Sequence, residues 1–163
     1  QEIGLEDKEI KKGLEEYKGV KRRFEYQIKQ SDLIFIDDYA HHPTEIKALV
    51  SSVKELYPAK KITGIFQPHL FSRTKDFADD FAIELSQLDE VIVLDVYAAR
   101  ELPMNGVDAE FLLNKVTSSN KRKETKETVI GSLDRNKLEV LLTIGAGDIK
   151  TLVAPIREKL IQQ

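Results

Sequence analysis

Short apolar runs of strand length, set between stretches of helical periodicity, constrain this chain more than any other feature. Leu33-Ile34-Phe35-Ile36 and Val91-Ile92-Val93-Leu94 are unbroken, the pattern of strands buried on both faces. Lys61–Phe66 and Leu138–Ile144 read as two further strands. Between the first two, Ile46, Leu49, Val50, Val53 and Leu56 recur at intervals of three and four, a helix stripe opened by Pro43 and stopped at Tyr57-Pro58. Phe77, Phe81, Ile83 and Leu85 mark a helix running to about Leu88, and Val107–Val116 a shorter one. A last helix follows Gly147 through Leu160, with Pro155 expected to kink it or mark a late restart. Leu5–Tyr17 reads as an amphipathic helix ended by Lys18-Gly19.

Phe24–Lys29 alternates as a half-exposed strand and turns through Gln30-Ser31-Asp32 into the first buried run, a hairpin. Ser118–Lys123 reads as a polar, basic loop, Lys123–Thr128 as an edge strand, and Leu133–Lys137 as a short helix at most. Strands alternating with helices require right-handed crossovers. The expected fold is α/β: a Rossmann-like three-layer domain, its sheet mostly parallel, with helices on both faces and an N-terminal hairpin. A length of 163 residues suffices for one such core. Residue 1 is Gln and the single Met is Met104, so a fragment from inside a longer polypeptide is expected. The absence of cysteine excludes a disulfide framework and suits a reducing cytosol. A net charge of -3 argues against a dedicated nucleic-acid module. No apolar run approaches the roughly 20 residues of a membrane span, so no membrane insertion is expected.

The chemistry collects where strands end. Asp37-Asp38-Tyr39-Ala40-His41-His42 follows the first buried run and precedes Pro43, with Glu45 in the first helical turn. In open α/β sheets ligands bind beyond the carboxyl ends of strands. The plainer alternative is a turn shaped by Asp37 and Asp38 with solvated histidines. Gln67–Thr74 forms a second polar crest, in which Arg73 can fork onto a phosphate or carboxylate or simply pair with Asp76. Arg100-Glu101 is similarly placed, and an exposed ion pair explains it equally.

Gly145-Ala146-Gly147 resembles the start of a dinucleotide fingerprint, but the third glycine position holds Lys150. A tight strand-to-helix turn explains it; amides facing a ligand are a further possibility, and Asp148 suits a helix cap. His41, His42 and His69 invite zinc. Adjacent histidines diverge in extended chain, however, and no Cys completes a set, though Asp37 or Asp38 could; no metal site is assigned. No Gly-x-x-x-x-Gly-Lys-Ser/Thr phosphate loop occurs.

Three blocks in order, Asp38-Tyr39-Ala40-His41-His42-Pro43-Thr44-Glu45, Gly64-Ile65-Phe66-Gln67-Pro68-His69-Leu70-Phe71-Ser72-Arg73-Thr74 and Thr143-Ile144-Gly145-Ala146-Gly147-Asp148-Ile149, resemble the C-terminal domain of the Mur ligase family. These ATP-dependent ligases add amino acids to the peptidoglycan precursor in the bacterial cytoplasm. The resemblance spans nearly the whole chain, and its second block is similar to the branch that joins L-alanine to UDP-N-acetylmuramate. It implies that residues 1–19 are the tail of a preceding ATP-binding domain and 20–163 the C-terminal domain. It also implies ATP and Mg2+ in the full-length enzyme, neither held by this chain alone, and an acyl phosphate attacked by the alanine amine. On that likeness Asp38 and His42 lie toward the nucleotide, Asp38 suited to ribose hydroxyls. Tyr39, His41, His69 and Arg73 line the alanine and phosphate side, with His41, His69 and Arg73 catalytic. Some relatives carry Arg after the His of the second block, where this chain has Leu70. That departure throws the weight of anion binding on Arg73 and His69. A related ligase that recycles murein tripeptide and a non-catalytic Rossmann-like binding module are the alternatives.

Overall fold

Among the residues that the computed structural model describes (4, 6–16 and 19–162), six strands form: Glu25–Lys29 (β1), Ile34–Asp38 (β2), Ile62–Phe66 (β3), Glu90–Val93 (β4), Asn120–Lys123 (β5) and Val140–Ile144 (β6). They make one sheet in the order β1-β2-β6-β3-β4-β5. β1 runs antiparallel to β2, giving the expected hairpin, and every other pairing is parallel. β6 lies centrally, with Leu142 registered on Ile36 of β2 and on Gly64 of β3. All five residues of β6 are buried.

The helices are Asp7–Glu16 (α1), Pro43–Leu56 (α2), Phe71–Asp76 (α3), Ala78–Leu85 (α4), Ala109–Leu113 (α5), Lys126–Ser132 (α6) and Lys150–Gln162 (α7). Side-chain alternation assigns them to layers. Ile34, Ile36, Val91, Val93, Val140 and Leu142 face α2, α4 and α5, while Phe35, Ile65, Ile92 and Leu141 face α6 and α7. This is the Rossmann-like three-layer arrangement. Gly64 belongs to the first face, where an added Cβ would lie 2.5 Å from Leu88 Cδ1.

Several local expectations change. The single helix expected around Phe77–Leu88 is two, α3 and α4, which meet at Phe77, and Ile83 is 61% exposed rather than part of the buried stripe. The edge strand lies at Asn120–Lys123, inside the expected loop, and residues 126–132 are helical because Thr125 caps them with a reciprocal Thr125–Thr128 box. Residues 135–137 form a 3-10 turn. α7 continues through Pro155 without a restart. Pro155 is exposed, as is Thr151, whose carbonyl it would otherwise bond, so water can serve that group. Leu5, Tyr17 and Lys18 of the first expected helix lie outside the described residues; α1 itself buries no residue.

β5 reads Asn-Lys-Arg-Lys, a charged edge that resists pairing with other chains. Its cations are engaged internally. Lys121 Nζ donates to the Leu113 and Val116 carbonyls near the end of α5, Arg122 pairs with Glu90, and Lys123 lies 2.9 Å from Asp95.

Asp37 does not shape a turn. It sits in β2 with 1% of its surface exposed. Thr143 Oγ1 donates to its Oδ1 at 2.7 Å and Arg22 Nε to its Oδ2 at 2.9 Å. Arg22 Nη2 also donates to the Gly145 carbonyl at 2.6 Å. This ion pair therefore ties the chain entering β1 to the ends of β2 and β6. Arg22→Met strips a buried carboxylate of its counter-ion, which typically costs about 3–5 kcal/mol. The expected result is a lower urea midpoint, partly recovered in the Arg22→Met/Asp37→Asn double variant. An unchanged midpoint in the single variant would remove the pair from the stabilising interactions.

Candidate functional site

The first crest is held by the hairpin and by the start of α2. Asp38 Oδ2 accepts from the Phe24 amide at 2.7 Å and Oδ1 from the Ala40 amide at 2.8 Å. Burial nevertheless raises the Asp38 carboxyl above its usual range, outweighing those two amides, and the neighbouring Asp37 and Glu45 charges push the same way. Beside it opens a cleft of about 320 Å³, lined by Phe24, Asp38, Tyr39, Ala40, Glu45 and Ser52 among others. The Arg22 guanidinium lies 5.2 Å from the centroid of the Tyr39 ring, whose backbone amide donates to the Arg22 carbonyl at 2.7 Å.

Pro43 at the helix start works as expected, and Glu45 does more than complement the dipole. Its Oε2 accepts from the His41 and His42 amides at 2.9 and 3.2 Å, closing a capping box with His42 as N-cap. Burial opposes the Glu45 charge, but those amides and the two imidazoles hold its carboxyl below the ordinary range. His42 Nδ1 accepts from the Thr44 amide, and its ring packs 4.8 Å from Phe77. His41 Nδ1 lies 3.0 Å from the Tyr39 carbonyl and 3.2 Å from Glu45 Oε2. Two acceptors there assign the proton to Nδ1, so the neutral ring offers its Nε2 lone pair.

The second crest is built on β3 and β4. Beyond their ends the Leu70 amide donates to the Tyr97 carbonyl at 2.9 Å and the Tyr97 amide to the Pro68 carbonyl at 2.8 Å, a short parallel bridge at His69. Leu70 has φ +72°, in the left-handed region that costs a branched side chain energy. That conformation reverses the chain into α3, which starts inside the expected crest. Glu101 Oε2 accepts from the Ser72 amide at 3.0 Å, so Glu101 serves α3 rather than Arg100. Arg73 in α3 brings its Nη1 to 3.5 Å from His69 Nδ1. Among the described residues Arg73 has no carboxylate within ion-pair distance, and the Asp76 pairing does not form.

The crests meet. Tyr39 and His41 rings lie 5.2 Å apart, His41 and His69 6.2 Å, and His69 and Tyr97 5.5 Å in a near-parallel stack. His69 is held below its usual titration range, first by burial, then by Arg73 and His41, with Glu101 acting against them. At neutral pH it is therefore a neutral donor or acceptor beside one permanent cation. A permanent cation, two imidazoles and a phenol beyond the carboxyl ends of β2 and β3 form a set of groups suited to a carboxylate or phosphate. His42 stands apart, turned to Phe77. A larger cleft of about 1060 Å³ lies at the opposite ends of the strands, but its Thr63, Glu90 and Arg122 bond to one another.

Sequence reading missed Tyr97, Arg22 and Gln67. Tyr97 opens the loop that follows a buried run, a position that flags it; Arg22 carries no such signal. Asp148, expected as a cap, instead accepts from Gln67 Nε2 at 2.7 Å and pairs with Lys126.

Comparison with known proteins sets this geometry in context. The chain is 52% identical over 158 residues to UDP-N-acetylmuramate–L-alanine ligase of Flavobacterium psychrophilum, covering 97% of this chain and 35% of that protein. It superposes with a TM-score of 0.80 on UDP-N-acetylmuramate-alanine ligase of Thermotoga maritima, 28% identical, over 99% of this chain and 35% of the other. A murein peptide ligase of Psychrobacter arcticus, 19% identical with a TM-score of 0.64 over 99% of this chain and 33% of the other, shares the fold. The chain thus spans about a third of the length of these proteins. The model of the Mur ligase glutamate ligase domain matches residues 22–150, a stretch that holds both crests and the sheet between them, and the chain belongs to the Mur ligase family.

Proposed function

We propose that this chain is the C-terminal domain of an ATP-dependent ligase that joins L-alanine to UDP-N-acetylmuramate in the bacterial cytoplasm, a step of peptidoglycan precursor synthesis. The observation that carries the reading is the Arg73–His69 pair: a half-buried guanidinium with no carboxylate partner among the described residues, beside a neutral imidazole. The activity named for the Flavobacterium and Thermotoga relatives supports it. On this reading residues 1–19 belong with the preceding ATP-binding domain, in keeping with the absence of any buried residue in α1.

ATP with Mg2+ supplies the phosphoryl group that activates the muramate carboxylate. The donors around Arg73 fit an anion of that kind. Arg73 forks onto the alanine carboxylate or onto the developing phosphate and oxyanion charge. His69, neutral at pH 7, orients that anion by a hydrogen bond without adding charge. His41, its Nδ1 proton fixed between two acceptors, presents Nε2 to a proton on the attacking amine. Tyr39 closes the substrate side. Asp38 and His42 face the nucleotide: each Asp38 oxygen keeps a lone pair for a ribose hydroxyl, and the cap on His42 leaves its Nε2 available.

The purified 163-residue chain is expected to fold but to neither hydrolyse ATP nor ligate alanine, since it carries no phosphate loop. Protein-dependent ATP turnover by the chain alone would overturn that. In the full-length enzyme L-alanine should outperform the murein tripeptide as acceptor when product formation is compared; the reverse preference moves the assignment to the recycling ligase. Arg73→Ala should lower ligation roughly ten- to a hundredfold, the worth of about 1.5–3 kcal/mol for a charge-assisted hydrogen bond. Stability should change by only about 0.5 kcal/mol. Arg73→Lys should restore part of the rate, because an ammonium lacks the planar fork. Ligation rates read beside unfolding midpoints decide it, and near-normal ligation by the Ala variant sinks the assignment.

A further inference from the structure

The Gly145-Ala146-Gly147 turn is left over once the two crests are assigned, and its surroundings explain why. Gly145 has φ +144°, and a Cβ there would lie 2.7 Å from the Gln67 carbonyl oxygen. At Gly147 a Cβ would collide with Gln67 Oε1 and sit 2.9 Å from both Cβ and Cγ of Tyr97. The turn is therefore closed against the second crest. Gln67, buried at the end of β3, bridges it from inside: its Oε1 accepts from the Ile149 amide at 2.9 Å and its Nε2 donates to Asp148. Tyr97 meets both the turn and His69: its ring stacks near-parallel on the imidazole, and its Cβ and Cγ lie where a Cβ on Gly147 would intrude.

We propose that Gly147 and Gln67 form a seat for Tyr97, and that Tyr97 is a positioning residue which fixes the His69 imidazole beside Arg73. The inference rests on the role of His69 proposed above. It gives the turn a purpose other than phosphate binding: Gly147 is bare so that an aromatic ring can lie against the backbone. Backbone pairing fixes the Tyr97 main chain against Pro68 and Leu70. The seat bears on its side chain, with Gly147 against Cβ and Cγ. The groups facing His69 are Tyr97 on the loop after β4, Glu101 on the same loop, Arg73 on α3 and His41 on the first crest. Removal of the Tyr97 ring takes away burial, which is the largest influence holding His69 below its usual range.

The test follows the His69 ring by NMR in the purified chain, with the signal assigned by its loss in His69→Gln. Gly147→Ala, which crowds the seat, and Tyr97→Leu, which removes the stacked ring without adding a Cβ at 147, are compared with Tyr97→Phe. The expected result is a changed ring-current shift and a higher His69 titration midpoint in the first two variants, and neither in Tyr97→Phe. In the full-length ligase, kcat/KM for L-alanine should fall by up to about a hundredfold in the first two variants and stay close to wild type in Tyr97→Phe. An unmoved His69 signal in folded Gly147→Ala and Tyr97→Leu overturns the seat. A moved signal with undiminished ligation upholds the seat and overturns instead the role assigned to His69. Tyr97→Leu keeps the test open should Gly147→Ala fail to fold.

Discussion

A carboxylate with almost no exposure to water is the constraint on which this structure turns. Asp37 lies in β2 beside the central strand, and a charge there is tolerated only with a partner and filled hydrogen bonds. Arg22 provides the first and Thr143 the second. Because Arg22 also reaches the Gly145 carbonyl and lies against Tyr39, satisfying one buried charge fixes three chain segments together. The first crest is thereby anchored before any ligand arrives. The hydrogen bonds from Phe24 and Ala40 to Asp38 continue the same bracing one residue further along.

How much of this was legible depends on whether the signal is local. The buried runs, the Pro43 start and the α2 stripe through Val53 are local and stand where periodicity puts them, while Leu56, expected to close that stripe, is 56% exposed at the helix end. The site residues of both crests were legible as a concentration of imidazole, phenol and guanidinium at strand ends, and the structure brings Tyr39, His41, His69 and Arg73 together. Their neighbours were not. Arg22 is one basic residue among several in Lys21-Arg22-Arg23, and only sheet pairing shows that it meets Asp37. The strand at Asn120–Lys123 was missed because its composition is that of a loop; charges suit it as an edge, and its pairing with β4 supplies what propensity lacks. Ile83 was misplaced because it stands two residues from both Phe81 and Leu85, about 200° round α4 from that buried pair, and so turns to solvent.

The two crests are coupled through the turn between β6 and α7. The Gly145 amide donates to the Asp38 carbonyl at 3.1 Å, and the close approach of the turn to Gln67 reaches the other side. A shift of the β6–α7 junction would therefore be felt in both crests at once. Leu70 adds strain to the same region: its left-handed backbone persists because pairing with Tyr97 and the start of α3 over-determine it.

The central place of β6 also bears on how the chain is made. Of the six described strands β6 leaves the ribosome last, yet it inserts between β2 and β3, which were synthesised long before. Until residues 140–144 arrive, the inner edges of those two strands face no partner, and the hydrophobic layers on both sides of the sheet cannot close. Folding is therefore bound to late, non-local pairing, the slow and aggregation-exposed regime of parallel sheets. Truncation anywhere before β6 would remove not an outer strand but the keystone, leaving two half-sheets with nothing to join them.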